Sequence, residues 1–362
     1  MRSWLLVPLA VAVVACGGDR AYRVGVIGRN PAFEGADLAV REVDGANGIN
    51  GVPLRTQRGD TAAVVKGDST KMADKLAGDS SVIFLLQQTG QGVPPQLLRV
   101  YYTRALPVLV LGPVLGKPDG RWVFHLMPSA KDEAALMAGQ AEKLWQPKRV
   151  AIVHSNDAYG VMMAAELSSA LPQGSKPVTS TAFVETTDTV PAAQLVRVLT
   201  AANPDVIFWL GPPRVLGILL VRLRLHLPQV RIMGSDAAEA KRIYDNADGV
   251  FSGLVFVRAA DPAVDTARYN NFRYRYSVWM GGDPTSDAVL AYDATSMIAA
   301  AMRAGASTRA QVRDYLTSLG KSRPPYTGIT GPISFDSVGV IRRPFILAEV
   351  RDDGVKPVPL LK

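Results

Sequence analysis

The side chains best suited to chemistry cluster where an apolar run ends. The run RVAIV is followed at residues 154–160 by HSNDAYG. A plain connection needs only one or two turn residues, yet this one carries a carboxylate, Asp157, and a phenol, Tyr159. A carboxylate accepts hydrogen bonds, and a tyrosine offers a flat ring with one hydroxyl. These side chains are suited to hydrogen bonding, although Ser155, Asn156 and Asp157 are equally suited to turns and helix capping.

Motifs for catalysis are absent or incomplete. The stretch GVIGRN lacks the full glycine fingerprint of a dinucleotide site, and GPVLGK is one residue short of a phosphate-binding loop. No G-x-S-x-G motif is present. The three histidines, His125, His154 and His226, lack the spacing of metal ligands. We therefore expect a protein that is not an enzyme and that has no metal site and no cofactor.

Length and composition indicate a globular protein of two domains. The chain has 362 residues, and single cores stop growing at roughly 250–300 residues. Hydrophobic residues make up 48% and charged residues 20%, as in ordinary globular proteins. The formal net charge is +8, but the basic residues are scattered rather than arranged in runs. This pattern favours a solvated basic surface, and we expect no nucleic-acid partner.

The N-terminus has the layout of an export signal. Arg2 precedes the apolar run WLLVPLAVAVVA, which is too short to span a bilayer. The run ends in VVAC, which resembles a bacterial lipobox whose cysteine, Cys16, is lipidated and becomes the first mature residue. Cys16 is the only cysteine, so an intramolecular disulfide is impossible. We predict a signal peptide at residues 1–15 and a lipid-anchored body in the periplasm or at the cell surface; an ordinary signal peptide is the alternative.

Two stretches of the chain repeat one pattern. The first reads YRVGVIG, RNPAFEG and ADLAVREVDGA, and the second reads KRVAIVH, SNDAYG and VMMAAELSSAL. In each, an aromatic residue (Phe33, Tyr159) follows the arginine of the strand by ten positions, and a glycine (Gly35, Gly160) comes soon after. The match is short, so it supports an internal repeat only together with the surrounding pattern.

Apolar runs alternate with helical periods through both halves. This alternation predicts parallel sheets with right-handed crossovers, and hence two doubly wound α/β lobes. The predicted strands are Val24–Ile27, Pro53–Thr56, Val82–Leu86, Pro107–Leu111, Val150–Val153, Val178–Phe183, Val206–Leu210, Arg231–Gly234 and Gly253–Val257. The predicted helices are Glu34–Asp44, Ala63–Ala77, Pro95–Arg104, Gly160–Leu171, Pro191–Ala202, Arg214–Leu225 and Ala237–Asn246.

The C-terminal segment is not expected to form a third domain. Its three helical patterns can add layers to existing sheets, but its strand-like runs GPISF and FILAEV cannot build an independent core. We expect the chain to cross between the lobes near Met127, Val257 and Asp336. This predicts an N-terminal lobe of residues 16–127 with 258–335, and a C-terminal lobe of residues 128–257 with 336–362. The predicted helices lie at Val264–Met280, Ser286–Arg303 and Thr308–Leu319.

Five landmarks occur together between about Tyr22 and Gly354. They are EGADLAVREVDGANGINGVPL, KRVAIVHSNDAYG, NPDVIFWLGPP, SDAVLAYDATSMIAAAM and TGITGPISFD. With them the chain resembles the type I periplasmic solute-binding proteins, specifically the branched-chain amino-acid (Leu/Ile/Val) branch of ABC import systems. The resemblance implies two Rossmann-like lobes, three crossovers that act as a hinge, and a solute held in the cleft between the lobes.

The resemblance also implies where the solute binds. In doubly wound sheets, ligands lie beyond the carboxyl ends of the strands, where helix N-termini favour anionic groups. Tyr159 matches a cleft tyrosine of the family, and Asp236 matches the acidic position that pairs with a ligand ammonium, with a structural helix cap as the alternative for Asp236. The expected ligand-binding residues are Phe33, Gln88, Thr89, Gly112, Val114, Asp157, Tyr159, Trp209 and Asp236.

The facing loops depart from the family pattern. A serine- and threonine-rich loop is replaced by QQTGQG, in which Thr89 is the only hydroxyl, and GPVLG has Val114 where relatives often have threonine. A GGY pattern is replaced by LGPP, with Trp209 nearby. Two missing hydroxyls, at roughly 1.5–3 kcal/mol each, are a large share of the ~8 kcal/mol of a micromolar complex. We therefore expect an amino acid or a similar small polar organic solute.

These features predict a lipid-anchored solute-binding protein of an ABC import system. Its expected partners are a small solute and a membrane permease, and we expect it to be a monomer. The altered loops and the basic surface leave one alternative: a lipoprotein that uses the same fold as an interaction module to control an envelope enzyme or a sensor.

Overall fold

The computed structural model describes most of the chain after the leader. The described residues are 21–28, 30–59, 69–88, 93, 95–112, 114, 118, 120–172, 177–184, 190–239, 249–261 and 265–361. The predicted signal peptide, Cys16 and Thr89 lie outside them, as do the start of the helix predicted at Ala63–Ala77 and most of the one predicted at Ala237–Asn246.

The first sheet has five parallel strands in the order β2-β1-β3-β4-β5. All six residues of β3 are buried, as in a sheet covered on both faces. Four of these strands confirm the sequence prediction, while β5 was missed although it is as long as β4. The strands are β1 (Tyr22–Ile27), β2 (Leu54–Arg58), β3 (Val82–Gln87), β4 (Val108–Val110) and β5 (Val123–His125).

The second sheet has seven strands in the order β14-β13-β10-β9-β8-β6-β7. Its segment β7-β6-β8-β9-β10 is parallel and has the same winding order as the first sheet, while β13 and β14 are antiparallel additions. The strands are β6 (Val150–Ser155), β7 (Thr179–Phe183), β8 (Val206–Leu210), β9 (Arg231–Gly234), β10 (Leu254–Arg258), β13 (Ile346–Arg351) and β14 (Gly354–Val358); β11 (Tyr326–Gly328) and β12 (Gly331–Ile333) form a separate pair.

Helices cover the sheets. The described helices are α1 (Asn30–Gly45), α2 (Ser69–Gly78), α3 (Pro95–Thr103), α4 (Ala130–Trp145), α5 (Ala158–Ala170), α6 (Val190–Ala202), α7 (Pro213–His226), α8 (Thr266–Met280), α9 (Ser286–Arg303) and α10 (Arg309–Ser318), with a 3₁₀ turn at Asp236–Ala238. Sequence reasoning missed α4, although Ser129 and Asp132 form a capping box at its start. None of the described helices is long and apolar enough to cross a bilayer.

The C-terminal segment joins both sheets, as expected, and forms no third core. Helix α9 packs along α1 of the first lobe, and Arg309 of α10 donates from Nε to Val82 O in β3 at 2.8 Å. Strand β13 pairs with β10 of the second sheet. The exact boundaries of the two lobes stay a prediction.

Two of the segments at which crossings are predicted, near Met127 and near Asp336, meet at β5. The amide of His125 donates to Gly339 O at 2.8 Å, and the amide of Ile341 donates to His125 O at 3.0 Å. The His125 ring is buried, and burial lowers its pKa to about 4, against a smaller opposing effect of the Asp336 charge. The connection between the lobes is therefore built around a neutral imidazole.

Candidate functional site

A narrow cavity of about 60 Å³ lies at the carboxyl ends of the strands, where residues of both lobes meet. This is the place where doubly wound sheets bind ligands. The described residues that line it include Gln88, Gly112 and Asp287 on one side and Ser155, Asp157, Tyr159, Asp236 and Glu239 on the other. A space of this size holds a few water molecules, so a larger guest requires the lobes to separate.

Asp157 has the capping role considered from the sequence and also lines the cavity. It is the N-cap of α5, and its Oδ1 accepts hydrogen bonds from Gly160 N at 2.8 Å and from Ser155 Oγ at 2.9 Å. A Cβ at Gly160 would lie 2.1 Å from Ser155 O, so this tight turn requires glycine. Asp157 therefore shapes the loop after β6 while one side of it faces the cavity.

Three acidic or phenolic side chains form one buried chain behind the cavity wall. Tyr159, which is 4% exposed, donates its hydroxyl proton to Asp236 Oδ1 at 2.5 Å. The backbone amide of Asp236 donates to Glu133 Oε1 at 2.7 Å. Glu133 is 0% exposed and comes from α4, the helix that sequence reasoning missed.

The two carboxyl groups of this chain affect each other's ionisation. Burial, followed by the charge of Asp236, raises the pKa of Glu133 well above its ordinary value. Burial also raises the pKa of Asp236, but hydrogen bonds from Tyr159 and Glu133 oppose that shift. The pKa of Tyr159 is raised by burial and by the neighbouring carboxylates, so its hydroxyl stays a donor. Burial thus raises the pKa of both carboxyl groups, and more hydrogen bonds oppose the rise at Asp236 than at Glu133.

The opposite wall carries an amide and a carboxylate. Gln88, directly after β3, donates from Nε2 to Asp287 Oδ2 at 2.9 Å. Asp287 lies in the first turn of α9, where the helix dipole favours a negative charge. The sequence motif SDAVLAYD contained Asp287, but nothing local to it indicated that this helix begins at the cavity.

Glu239 connects the two lobes beside the cavity. Its Oε1 accepts a hydrogen bond from Arg258 Nε at 2.8 Å, and both side chains are about nine-tenths buried. Its Oε2 accepts a hydrogen bond from the amide of Ser286, at the start of α9, at 3.1 Å. A loop of the second sheet is thereby tied to a helix that packs on the first.

Five of the nine expected ligand residues line the cavity: Gln88, Gly112, Asp157, Tyr159 and Asp236. Sequence reasoning missed Glu133, Glu239 and Asp287 as parts of this site. Thr89 lies outside the part of the chain that the structure describes.

The other three expected residues lie elsewhere. Phe33 is half-buried on α1, with the guanidinium of Arg58 5.0 Å from its ring centroid. Val114 is buried and forms a bridge to Ser129. Trp209 is 0% exposed and stacks on Phe183 at 4.4 Å, and its indole N–H donates to a backbone carbonyl. These placements do not support direct ligand contacts, which stay predictions for the three residues.

A larger cavity of about 980 Å³ lies between β10, α8 and the turn that joins β13 to β14. Charges on its wall are matched within the protein, as in Arg273 with Asp283 at 2.8 Å and Lys356 with Asp353 at 3.1 Å. Its described lining includes Arg258 at the carboxyl end of β10, but none of the residues predicted to bind the ligand. The described residues contain no group of side chains arranged to hold a metal ion.

The geometry agrees with a sequence profile of the periplasmic binding proteins, which matches residues 26–355. The chain belongs to the periplasmic binding protein family. Members are receptors for small solutes that work with ABC permeases outside the cytoplasm, so the prediction of a binding protein rather than an enzyme is confirmed.

Curated relatives have matching lengths. A Leu/Ile/Val-binding protein homolog 1 of Brucella abortus (strain 2308) is 24% identical over 359 residues, which cover 94% of this chain and 93% of the relative. An amino acid binding protein of Pseudomonas aeruginosa is 23% identical over 333 residues, which cover 89% of this chain and 86% of the relative.

Solved structures confirm the two-lobed fold. A branched-chain amino acid binding protein, LivJ of Streptococcus pneumoniae, in complex with isoleucine, superposes with a TM-score of 0.79 at 18% identity, covering 94% of this chain and 99% of LivJ. A solute-binding protein of R. palustris in complex with benzoate also gives 0.79, at 15% identity, covering 94% of this chain and 96% of its own. At such identities the likeness concerns the fold.

Proposed function

We propose that this protein is the lipid-anchored solute receptor of an ABC import system and that it captures an amino acid or a similar small polar organic solute. The observation that carries the proposal is the chain Tyr159–Asp236–Glu133 at the strand ends, beside a cavity shared by both lobes. The names of the Brucella and Pseudomonas relatives point to the same class of solute.

Capture follows from the two walls. Asp236, fixed by a hydrogen bond from Tyr159, offers its carboxyl group to an ammonium or another cationic group on one side. Gln88 and Asp287 offer hydrogen-bonding groups on the other. A solute that touches both walls stabilises the closed arrangement, because these contacts exist together only when the lobes meet.

The facing loops lack hydroxyl groups that relatives have, and this loss affects which solute can bind. Val114 is buried against the connection to α4 and has no group to offer a ligand carboxylate. Gln88 provides an amide in its place, half-exposed at the cavity. The relatives whose solved structures hold isoleucine and benzoate show that the fold accepts both amino acids and organic acids.

Ligand-dependent thermal unfolding tests the receptor proposal. A ligand at one hundred times its Kd stabilises a receptor by about 2.7 kcal/mol, which raises the Tm of a protein of this size by several degrees. The mature protein is screened against amino acids, amines and organic acids. A Tm that stays constant with every compound at millimolar concentration contradicts the proposal.

The anchor has its own test. We expect membrane-extracted protein to begin at a lipid-modified Cys16, and a Cys16→Ser variant to be released from the membrane fraction. Intact mass spectrometry checks both expectations. An unmodified chain of 362 residues in the membrane fraction shows that the anchor is absent.

One surface favours the alternative of an interaction module. On the outer face of α7, Val221 is 59% and Leu225 80% exposed, and Arg214 lies on the same face. Exposed apolar residues of this kind mark contacts with other proteins. This second function is favoured if no solute in the screen changes the Tm and if a Leu225→Glu variant loses binding to an envelope partner.

A further inference from the structure

Glu133 is a fully buried carboxyl group with little to support a negative charge. Its Oε1 accepts one hydrogen bond, from the amide of Asp236. Its Oε2 is buried, and no donor faces it in the part of the chain that the structure describes. A buried carboxylate normally needs a cation or several donors. Glu133 has the opposite surroundings, because the carboxyl group of Asp236 is its neighbour.

The other polar side chains of the site form their hydrogen bonds with groups other than the Glu133 side chain. Tyr159 of α5 donates its own proton to Asp236. Asp157 accepts from the start of α5, and Glu239 accepts from Arg258 and from Ser286. Burial and the Asp236 charge raise the pKa of Glu133. An Oε2 that carries a proton needs an acceptor rather than a donor, and the Asp236 carboxylate provides one.

We propose that Glu133 is a positioning residue that acts as a neutral acid. It holds Asp236 from behind by accepting its backbone N–H and donating a proton to its carboxylate, so that the cavity wall offers the solute one negative charge at a fixed place. A solute with a single cationic group on this side, such as a primary amine, fits that wall. The binding part of the proposal rests on the proposed receptor function; the protonation of Glu133 does not.

Glutamine is the test substitution because its amide reproduces a protonated carboxyl group. In Glu133→Gln, the amide oxygen accepts from the Asp236 amide and the NH₂ group donates to the carboxylate. Glu142→Gln on the same helix is the matched control, because it makes the same chemical change away from the cavity. Glu133→Ala removes both hydrogen bonds.

Stability as a function of pH shows whether Glu133 is neutral. A carboxyl group with a raised pKa in the folded state binds its proton more tightly there, so stability falls as pH rises above 4.5, the ordinary value. We expect Glu133→Gln to lose this slope and to gain in Tm over the parent as pH rises from 5 to 8, while Glu142→Gln follows the parent. If Glu133→Gln is less stable than the parent at pH 8, Glu133 is ionised in the parent and the proposal is overturned.

Infrared spectroscopy gives a second readout that stability alone does not provide. The parent is expected to show the C=O stretch of a protonated, buried carboxyl group at neutral pH, and Glu133→Gln is expected to lose it. A parent spectrum without that band at pH 7 also overturns the proposal.

Binding then tests the positioning role with the solute found by thermal screening. Calorimetry is expected to give Kd values for Glu133→Gln within about threefold of the parent, and a loss of tenfold or more for Glu133→Ala. Equal Kd values for the parent and Glu133→Ala overturn the positioning role even if Glu133 is protonated. If no solute binds the parent, the receptor function itself fails and the positioning role fails with it.

Discussion

The loops that follow β1 and β6 occupy the same place in their sheets but differ in what they do. Each strand has the same position in the winding order of its sheet, and each loop leads into a helix with an aromatic residue and a glycine near its start. Tyr159 faces the cavity and bonds Asp236. Phe33 is half-buried with Arg58 over its ring, and it is not among the described residues that line the cavity.

The comparison separates what the fold fixes from what side chains add. The alternation of apolar strands and helices sets the winding, so the repeat in the sequence corresponds to a repeat in structure. The chemistry depends on one hydroxyl and on a carboxylate that arrives 77 residues later in the chain. Equal positions in two lobes are therefore no guide to equal roles.

The glycines near the starts of α1 and α5 should give the largest effects, because a side chain at either position would meet backbone atoms. A Cβ at Gly35 would lie 2.0 Å from Ala288 O in α9, and a Cβ at Gly160 would lie 2.1 Å from Ser155 O. We expect Gly35→Ala and Gly160→Ala each to lower the free energy of unfolding by about 3 kcal/mol. Denaturant unfolding measures both.

Gly45, the last residue of the same helix α1, is the control for Gly35. A Cβ there meets nothing within 4 Å, so Gly45→Ala is expected to be neutral or slightly stabilising. If Gly35→Ala lowers the free energy of unfolding no more than Gly45→Ala does, the close contact between α1 and α9 is wrong.

Acid should weaken the connection between the two sheets at His125. The buried ring has a pKa of about 4 against an ordinary 6.5, so the unfolded chain takes up a proton first as pH falls. At 1.36 kcal/mol per pKa unit, this costs about 3 kcal/mol of stability, present above pH 6.5 and lost by about pH 4. Urea unfolding of the parent and His125→Leu across this range measures the difference. Parallel pH profiles for the two proteins would show that His125 titrates normally.

Substitutions of Tyr159 and Phe33 should give the smallest of the three effects. They should change solute binding rather than folding. Tyr159→Phe removes the hydroxyl that fixes Asp236, and we expect affinity for the identified solute to fall about tenfold, close to 1.4 kcal/mol. Phe33→Leu is expected to leave affinity unchanged within about twofold. Calorimetry on both variants measures these affinities. A loss of affinity greater than twofold for Phe33→Leu would place Phe33 in the binding site.

The order of strands and helices was largely predictable because apolar periodicity is local. Nine predicted strands are present with ends shifted by a few residues, while β5, which is as short as β4, was not predicted. Helix α4 was missed despite its capping box, and with it Glu133, the carboxyl group beneath Asp236. One missed element removed one part of the site.

The remaining parts of the site depend on contacts between segments far apart in sequence. Gln88 and Asp287 are separated by 199 residues, and Glu239 and Ser286 by 47. No local pattern states that such segments meet. Trp209 shows a different limit of sequence reasoning: an aromatic residue near a strand end suggested a ligand contact, which stays a prediction, while all five residues of β8 are buried.

The hydrogen bond from Ser286 to Glu239 has a consequence for an empty receptor. Because both of its partners belong to the polypeptide, this hydrogen bond contributes to the free energy of closure whether or not a solute is bound. A receptor whose competent form is well populated has an apparent Kd close to its intrinsic one. We therefore expect scattering from the unliganded protein to report a mixture rich in compact molecules, and Glu239→Ala to move that mixture toward extended ones.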